Sequence, residues 1–142
     1  MTFLVATDGS DVSDMAVEHA AREASVWDVP LEIVHVLTPE TELVDGNLVL
    51  PGEREAIENG ERTLEEATRL AAETTSEDAD LEVTTELLAG RPAQAITEYA
   101  AAVDVRAIFV GHRGLSEQRQ QVVGSVAKTV VDKAAVPVTI VK

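Results

Sequence analysis

Short apolar runs alternate with helix-spaced segments along the whole chain, and this alternation limits its folds more than any other feature of the sequence. Phe3, Leu4, Val5 and Ala6 make an apolar run that stops at Thr7-Asp8-Gly9-Ser10, which reads as a buried strand ending in a turn. Val12, Ala16, Ala20, Ala24 and Trp27 then recur at helical spacing, with Ser10 or Asp11 as the N-cap and Trp27 as a packing residue at the helix end. Leu31 to Leu37 is a second strand. The stretch from Thr38 to Gly52 is loop-like, broken by Pro39, Gly46, Pro51 and Gly52.

Ile57, Gly60, Leu64, Ala67 and Ala71 mark the inward face of a long acidic helix. From Leu81 to Leu88, Leu81, Val83, Thr85 and Leu87 alternate with Glu82, Thr84 and Glu86, the period of a strand with one wet face and suited to a sheet edge. Gly90-Arg91-Pro92 opens a helix with Pro92 in its first turn and Ile96, Ala100 and Val103 facing the core. Ala107 to Val110 is unbroken apolar sequence, as in a central strand covered on both faces. A glycine-bearing loop leads to Gly124-Ser125, which begins a helix with Val126, Val130 and Ala134 inside; Val136 to Val141, with Pro137 at its start, is the closing strand.

The resulting order, βαβαβαβαβ, predicts an open doubly wound α/β fold: a parallel sheet with helices on both faces, joined by right-handed crossovers. At 142 residues, without internal repeat or low-complexity linker, the chain should form one domain spanning 1–142.

Charge excludes some partners. The formal net charge of -15 opposes sequence-independent binding to nucleic acid or to an anionic membrane surface. No stretch approaches the roughly 18 apolar residues of a membrane span, and MTFLVATDGS has neither a basic n-region nor a cleavage site, so a soluble, cytoplasmic protein is expected. The absence of cysteine removes disulfides, thiolate metal sites and cysteine nucleophiles. Eight Arg and three Lys make the composition acidic and lysine-poor, as expected of a protein from a salt-loving source. Through Val105 there are 24 acidic and five basic residues, but from Arg106 onward two acidic and six basic, so the C-terminal quarter is the one positive region.

In an open doubly wound sheet a ligand sits beyond the carboxyl ends of the strands where the strand order reverses. Two predicted strands end in special loops, Thr7-Asp8-Gly9-Ser10 and Gly111-His112-Arg113-Gly114, which places them side by side at that point, with His35-Val36-Leu37 flanking. Gly111 and Gly114 permit close backbone approach. Gly124-Ser125 opens a helix whose free N–H groups and positive dipole end suit an anion, with the Ser125 hydroxyl as a further donor. Neither the Walker pattern nor G-x-G-x-x-G occurs.

Gly111-x2-Gly114-x9-Gly124-Ser125 matches the G-2x-G-9x-G-[S/T] pattern of ATP-binding universal stress proteins without insertion or deletion. LVATDGS resembles that family's first strand and AVPVTIVK its last, so the likeness covers essentially the whole chain. The resemblance implies a five-stranded sheet in the order 3-2-1-4-5 with ATP across strands 1 and 4. It implies adenine or ribose contacts from Asp8 and the backbone near Ala6 and Val36, with Val110 and Gly111 lining that end. Gly114, Gly124, Ser125 and Val126 would hold the phosphates, together with a divalent cation such as Mg2+, and Arg113 would lean over them. It also implies a homodimer through the strand Val136 to Val141, which would cover an apolar sheet edge. Between the glycines, Leu115 to Gln121 is polar and carries Glu117, whose charge would oppose a phosphate.

Other candidates read plainly. Asp8 alone would be a turn residue capping the next helix; the glycine pattern turns it toward a ligand. His19 and His35 fall in core elements and read as structural, while His112 has no assigned role. Glu18, Glu23, Glu65, Glu66 and Glu73 read as a solvated helix face. Ser125 has no visible base, and no acid–base pair or protein metal site is legible. The leading function is therefore an ATP-binding stress-response or signalling module. Its alternatives are a slow ATPase or phosphoryl-transfer enzyme and a nucleotide-free interaction domain.

Overall fold

Each predicted apolar run becomes a strand or a helix face of one α/β unit. The computed structural model describes residues 1–38, 42–44, 47–49, 52–76, 79–113 and 124–142. In chain order the elements are β1 (Thr2–Ala6), α1 (Asp11–Trp27), β2 (Leu31–Leu37), β3 (Glu42–Val44), β4 (Asn47–Val49), α2 (Glu53–Thr74), β5 (Val83–Ala89), α3 (Pro92–Ala102), β6 (Val105–Gly111), α4 (Ser125–Lys133) and β7 (Val138–Val141). Five strands form one parallel sheet in the order β5-β2-β1-β6-β7, which is 3-2-1-4-5 in the sheet's own numbering, as the resemblance implied.

Alternating side chains of the inner strands feed two cores, because successive residues of a strand point to opposite faces. On one face Phe3, Val5, Leu31, Ile33 and Phe109 pack under α1 and α2, which contribute Ala16, Ala20, Ala24, Leu64, Ala67 and Ala71. On the other, Leu4, Val34, Ile108 and Val110 pack under Ile96 of α3 and Ala127 and Val130 of α4. Small helix residues let the α1 backbone lie close to the sheet. Phe3 and Phe109 meet with ring centroids 5.4 Å apart, and His19 sets its ring edge against Phe109 at 5.8 Å.

Caps follow the sequence. Ser10 Oγ accepts from the Ser13 amide at the start of α1, Pro92 opens α3, and Gly124 is the N-cap of α4. Four details differ from the sequence reading. The segment read as a loop from Thr38 to Gly52 contains an antiparallel pair, β3 with β4. The edge strand starts at Val83, and Leu81 packs beneath the core just before it. The last strand starts at Val138.

Trp27 is the fourth difference: it is 55% exposed rather than packed inside. Helix α1 ends there, its C-cap Asp28 in a left-handed conformation, φ 54. The indole instead lies 5.1 Å from the Arg106 guanidinium, and its Nε1 donates to Glu23 Oε2 at 3.3 Å. Among the described residues no helix is long and apolar enough to cross a membrane.

Candidate functional site

The strand order reverses between β1 and β6, and a cavity of about 410 Å³ opens there beyond the strands' carboxyl ends. Its walls come from four places. Ala6, Thr7 and Asp8 follow β1; His35, Val36, Leu37 and Thr38 close β2; Val110, Gly111 and Arg113 end β6; Gly124, Val126 and Ala127 begin α4. Ser13, Pro92 and Ile96 complete it.

The turn after β1 is tightly specified. Asp8 Oδ1 accepts from the Ser10 amide at 3.0 Å, and Thr7 Oγ1 accepts from the Gly9 amide at 3.2 Å. Gly9 has φ +83, which the hydrogen-bonded turn demands and glycine adopts without strain. Ser13 Oγ donates to the Ser10 carbonyl at 2.9 Å and lies 3.1 Å from Thr7 Oγ1, so three buried hydroxyl residues tie the strand end to the first turn of α1. Asp8 therefore performs the turn chemistry expected of Asp-Gly-Ser and also lines the cavity.

Ladder parity decides what the end of β2 offers. The Thr7 amide donates to the Val34 carbonyl at 2.9 Å, and the Gly90 amide to the Leu37 carbonyl at 3.0 Å. Alternate residues of a strand direct their main-chain groups to opposite neighbours. The main chain of Val34 and Val36 thus faces β1, and that of His35 and Leu37 faces β5. Because β1 ends at Ala6, the Val36 N–H and C=O face the cavity.

The opposite wall is the start of α4. The His112 carbonyl accepts from the Gly124 amide and the His112 amide donates to the Val141 carbonyl at 2.8 Å, so β6, β7 and α4 are joined at this corner. The first turn of α4 has no acidic residue, whereas that of α1 carries Asp11 and Asp14. Among the described residues the first turn of α4 thus sets no carboxylate of its own against the positive end of the helix dipole. His112 Nδ1 is buried with no hydrogen-bond partner among the described residues.

Eight of the sequence-derived site residues, Ala6, Asp8, Val36, Val110, Gly111, Arg113, Gly124 and Val126, line this one cavity. Ser125 begins α4 but is exposed and does not line it. Val126, expected inside, is 36% exposed at the cavity wall, and Ala127 and Val130 take the buried positions. Gly114 and the segment Leu115 to Gln121 lie outside the described residues. His35 was read as structural and does hold a main-chain contact, Nδ1 to the Thr7 carbonyl at 2.8 Å, but it lines the cavity too. Its place beside Val36 at the carboxyl end of a central strand was the available signal.

An open parallel sheet with a cavity at its switch point, bordered by a helix N-terminus, defines the doubly wound α/β class. The model of the universal stress protein family matches residues 1–142, and the chain belongs to that family. It is 34% identical over 141 residues to a universal stress protein of Thermus aquaticus, covering 99% of this chain and 98% of the relative. A universal stress protein of Mycolicibacterium smegmatis is 30% identical over 139 residues; the match takes in 97% of this chain and about half, 47%, of that longer relative. A universal stress protein of Archaeoglobus fulgidus, solved in complex with dAMP, aligns at TM-score 0.74 and 28% identity over 100% of this chain and 98% of its own. A separate structure of a universal stress protein in complex with cAMP aligns at TM-score 0.71 and 27% identity over 100% of this chain and 96% of its own.

Proposed function

We propose that this chain is an adenine-nucleotide-binding stress-response module and that its ligand is ATP. The observation that carries the reading is convergence: Val36, Asp8 and the start of α4 line one cavity, an arrangement suited to a base, a ribose and phosphates in turn. Relatives of the same fold were solved with dAMP and cAMP, which share the adenine base. The Val36 N–H and C=O offer adenine one donor and one acceptor, matched to its N1 and N6 amino group; Ala6 and Val110 give apolar contact with the ring. Asp8 would accept from the ribose hydroxyls.

Gly124, Val126 and Arg113 would hold the phosphates, with Gly114 and Ser125 assigned to the same task by the glycine pattern. Among the described residues no group of three His, Asp or Glu could hold a metal ion. A Mg2+ ion would therefore arrive on the phosphates. The fit to the nucleotide is supported by the α4 dipole, at the end where charge would lie. Binding coupled to a change of partner, rather than turnover, is the role we assign. The protein would act in the cytoplasm and avoid nucleic acid, as its net charge of -15 favours.

The sheet edge at β7 has one strand neighbour, β6, and its four residues are half-buried. A twofold mate pairing along β7 would cover that edge. Light scattering in molar salt should give a dimer mass, and a monomer alone would remove this part of the reading. Calorimetric titration with ATP, with and without Mg2+, tests the rest: saturable binding below millimolar ATP is expected, and none at millimolar ATP would sink it.

A further inference from the structure

We propose that His35 is a positioning residue that keeps the main-chain edge of Val36 open to the adenine base, by taking the carbonyl that would otherwise close the sheet over it. The proposal rests on the reading of the cavity as an adenine-nucleotide site. Its basis is one substitution of donors at the end of the β1–β2 ladder. The Thr7 amide continues the ladder by donating to the Val34 carbonyl. The next bond of a parallel ladder would run from the Val36 amide to the Thr7 carbonyl. That carbonyl is met instead by the His35 ring, Nδ1 at 2.8 Å.

The ring is held for this task from its other side. A Cβ built on Gly60 of α2 would stand 3.2 Å from His35 Cδ2 and 2.8 Å from Leu87 Cδ1, so the bare α2 backbone packs directly on the imidazole. Glycine there lets a helix close on the ring without displacing it. A carbonyl acceptor requires a proton on Nδ1, which neutral and cationic imidazole both can supply, so the bond survives either charge state. Sheets rarely leave a ladder donor unpaired where a carbonyl lies in register. A side chain that intercepts the carbonyl turns the end of β2 from sheet into recognition edge.

Two measurements on the full chain test this. In nucleotide-free protein, hydrogen exchange by NMR should find the Val36 amide exchanging at least tenfold faster than that of Val34; in His35→Ala it should slow into the range of Val34, as the ladder closes. Titration should show the ATP-over-GTP preference of the wild type falling at least tenfold in His35→Ala. His35→Asn, which can place an N–H donor near the same point, should retain both properties. A wild-type Val36 amide as protected as that of Val34 overturns the proposal. So does a His35→Ala protein that weakens ATP and GTP in equal proportion with Val36 exchange unchanged, the signature of a merely structural role. Wild-type protein that binds neither nucleotide overturns the parent reading and the ligand with it, while the exchange contrast still decides whether His35 holds the edge open.

Discussion

Gly111 lies against Val12: a Cβ built on the glycine would stand 2.9 Å from Val12 Cγ1 and 3.3 Å from its carbonyl carbon and oxygen. The first glycine of the motif thus serves the packing of β6 on the opening turn of α1, as well as lining the cavity. A branched side chain and two backbone atoms have little room to yield. Gly111→Ala should destabilise the fold by about 1–3 kcal/mol, the usual cost of overpacking. Urea unfolding measures it, and an unchanged midpoint would mean the contact relaxes freely.

Tyr99 of α3 donates its phenol proton to Glu32 of β2, tying a helix to the sheet across 67 residues of sequence. Burial first, then the hydrogen bond to Glu32 and the charges of Glu32 and Glu86, push the phenol's ionisation above its ordinary value of 10.0. A group raised in the folded state gives stability that is complete below its unfolded value and lost as pH rises through the folded one. Stability of the wild type should therefore fall with pH above about 10 more steeply than that of Tyr99→Phe. At neutral pH the same variant should be less stable by about 1–3 kcal/mol, because Glu32 loses its donor. Parallel pH curves for the two proteins would contradict this.

Legibility in the sequence follows how local each determinant is. The alternation of Leu4, Val5, Ile108 and Phe109 with helix-spaced alanines set the fold class, because period and burial are read off neighbouring residues. The strand order came from the resemblance, since pairing partners such as Leu31 and Val83 are distant in the chain. Eight of the expected residues line one cavity because the glycine pattern and the strand-end rule point to the same corner. His35 escaped as a site residue: its bond to Thr7 is tertiary, and a histidine inside an apolar strand looks like core. Trp27 misled for the converse reason: its helical spacing is local, whereas its exposure at the last position of α1 is set by the tertiary fold.

Asp14, in the first turn of α1, has its carboxyl pushed above its ordinary value of 3.8 by burial first and then by the charges of Asp11, Glu18, Glu66 and Asp8. A carboxyl raised in this way favours the fold when protonated, and that contribution is lost as pH rises through the folded value. Asp14→Asn should therefore stabilise the protein at neutral pH and have no such effect in acid. Added KCl should raise the melting temperature of the wild type and shrink the gain from the substitution, since the screening length falls from about 10 Å at 0.1 M to about 3 Å at 1 M. If the chain comes from a salt-loving source, as its net charge of -15 suggests, the rise should continue into molar salt. A melting temperature indifferent to KCl would count against both the repulsion and that origin.

Asp8 separates turn chemistry from ligand chemistry, because its Oδ1 accepts from the Ser10 amide while the residue also faces the cavity. Asparagine keeps an acceptor for the Ser10 amide but replaces a carboxylate oxygen with an amide donor. Asp8→Asn should therefore unfold within about 0.5 kcal/mol of the wild type, as cap-preserving changes do. It should nevertheless bind ATP about tenfold more weakly, roughly 1.4 kcal/mol, as a charge-assisted bond to a ribose hydroxyl is lost. Asp8→Ala should lose both, the turn acceptor and the ligand contact. Paired urea unfolding and ATP titration of the three proteins decide the matter. Should Asp8→Asn bind ATP as the wild type does, Asp8 is a turn residue alone, and the ribose end of the cavity must be held by other groups.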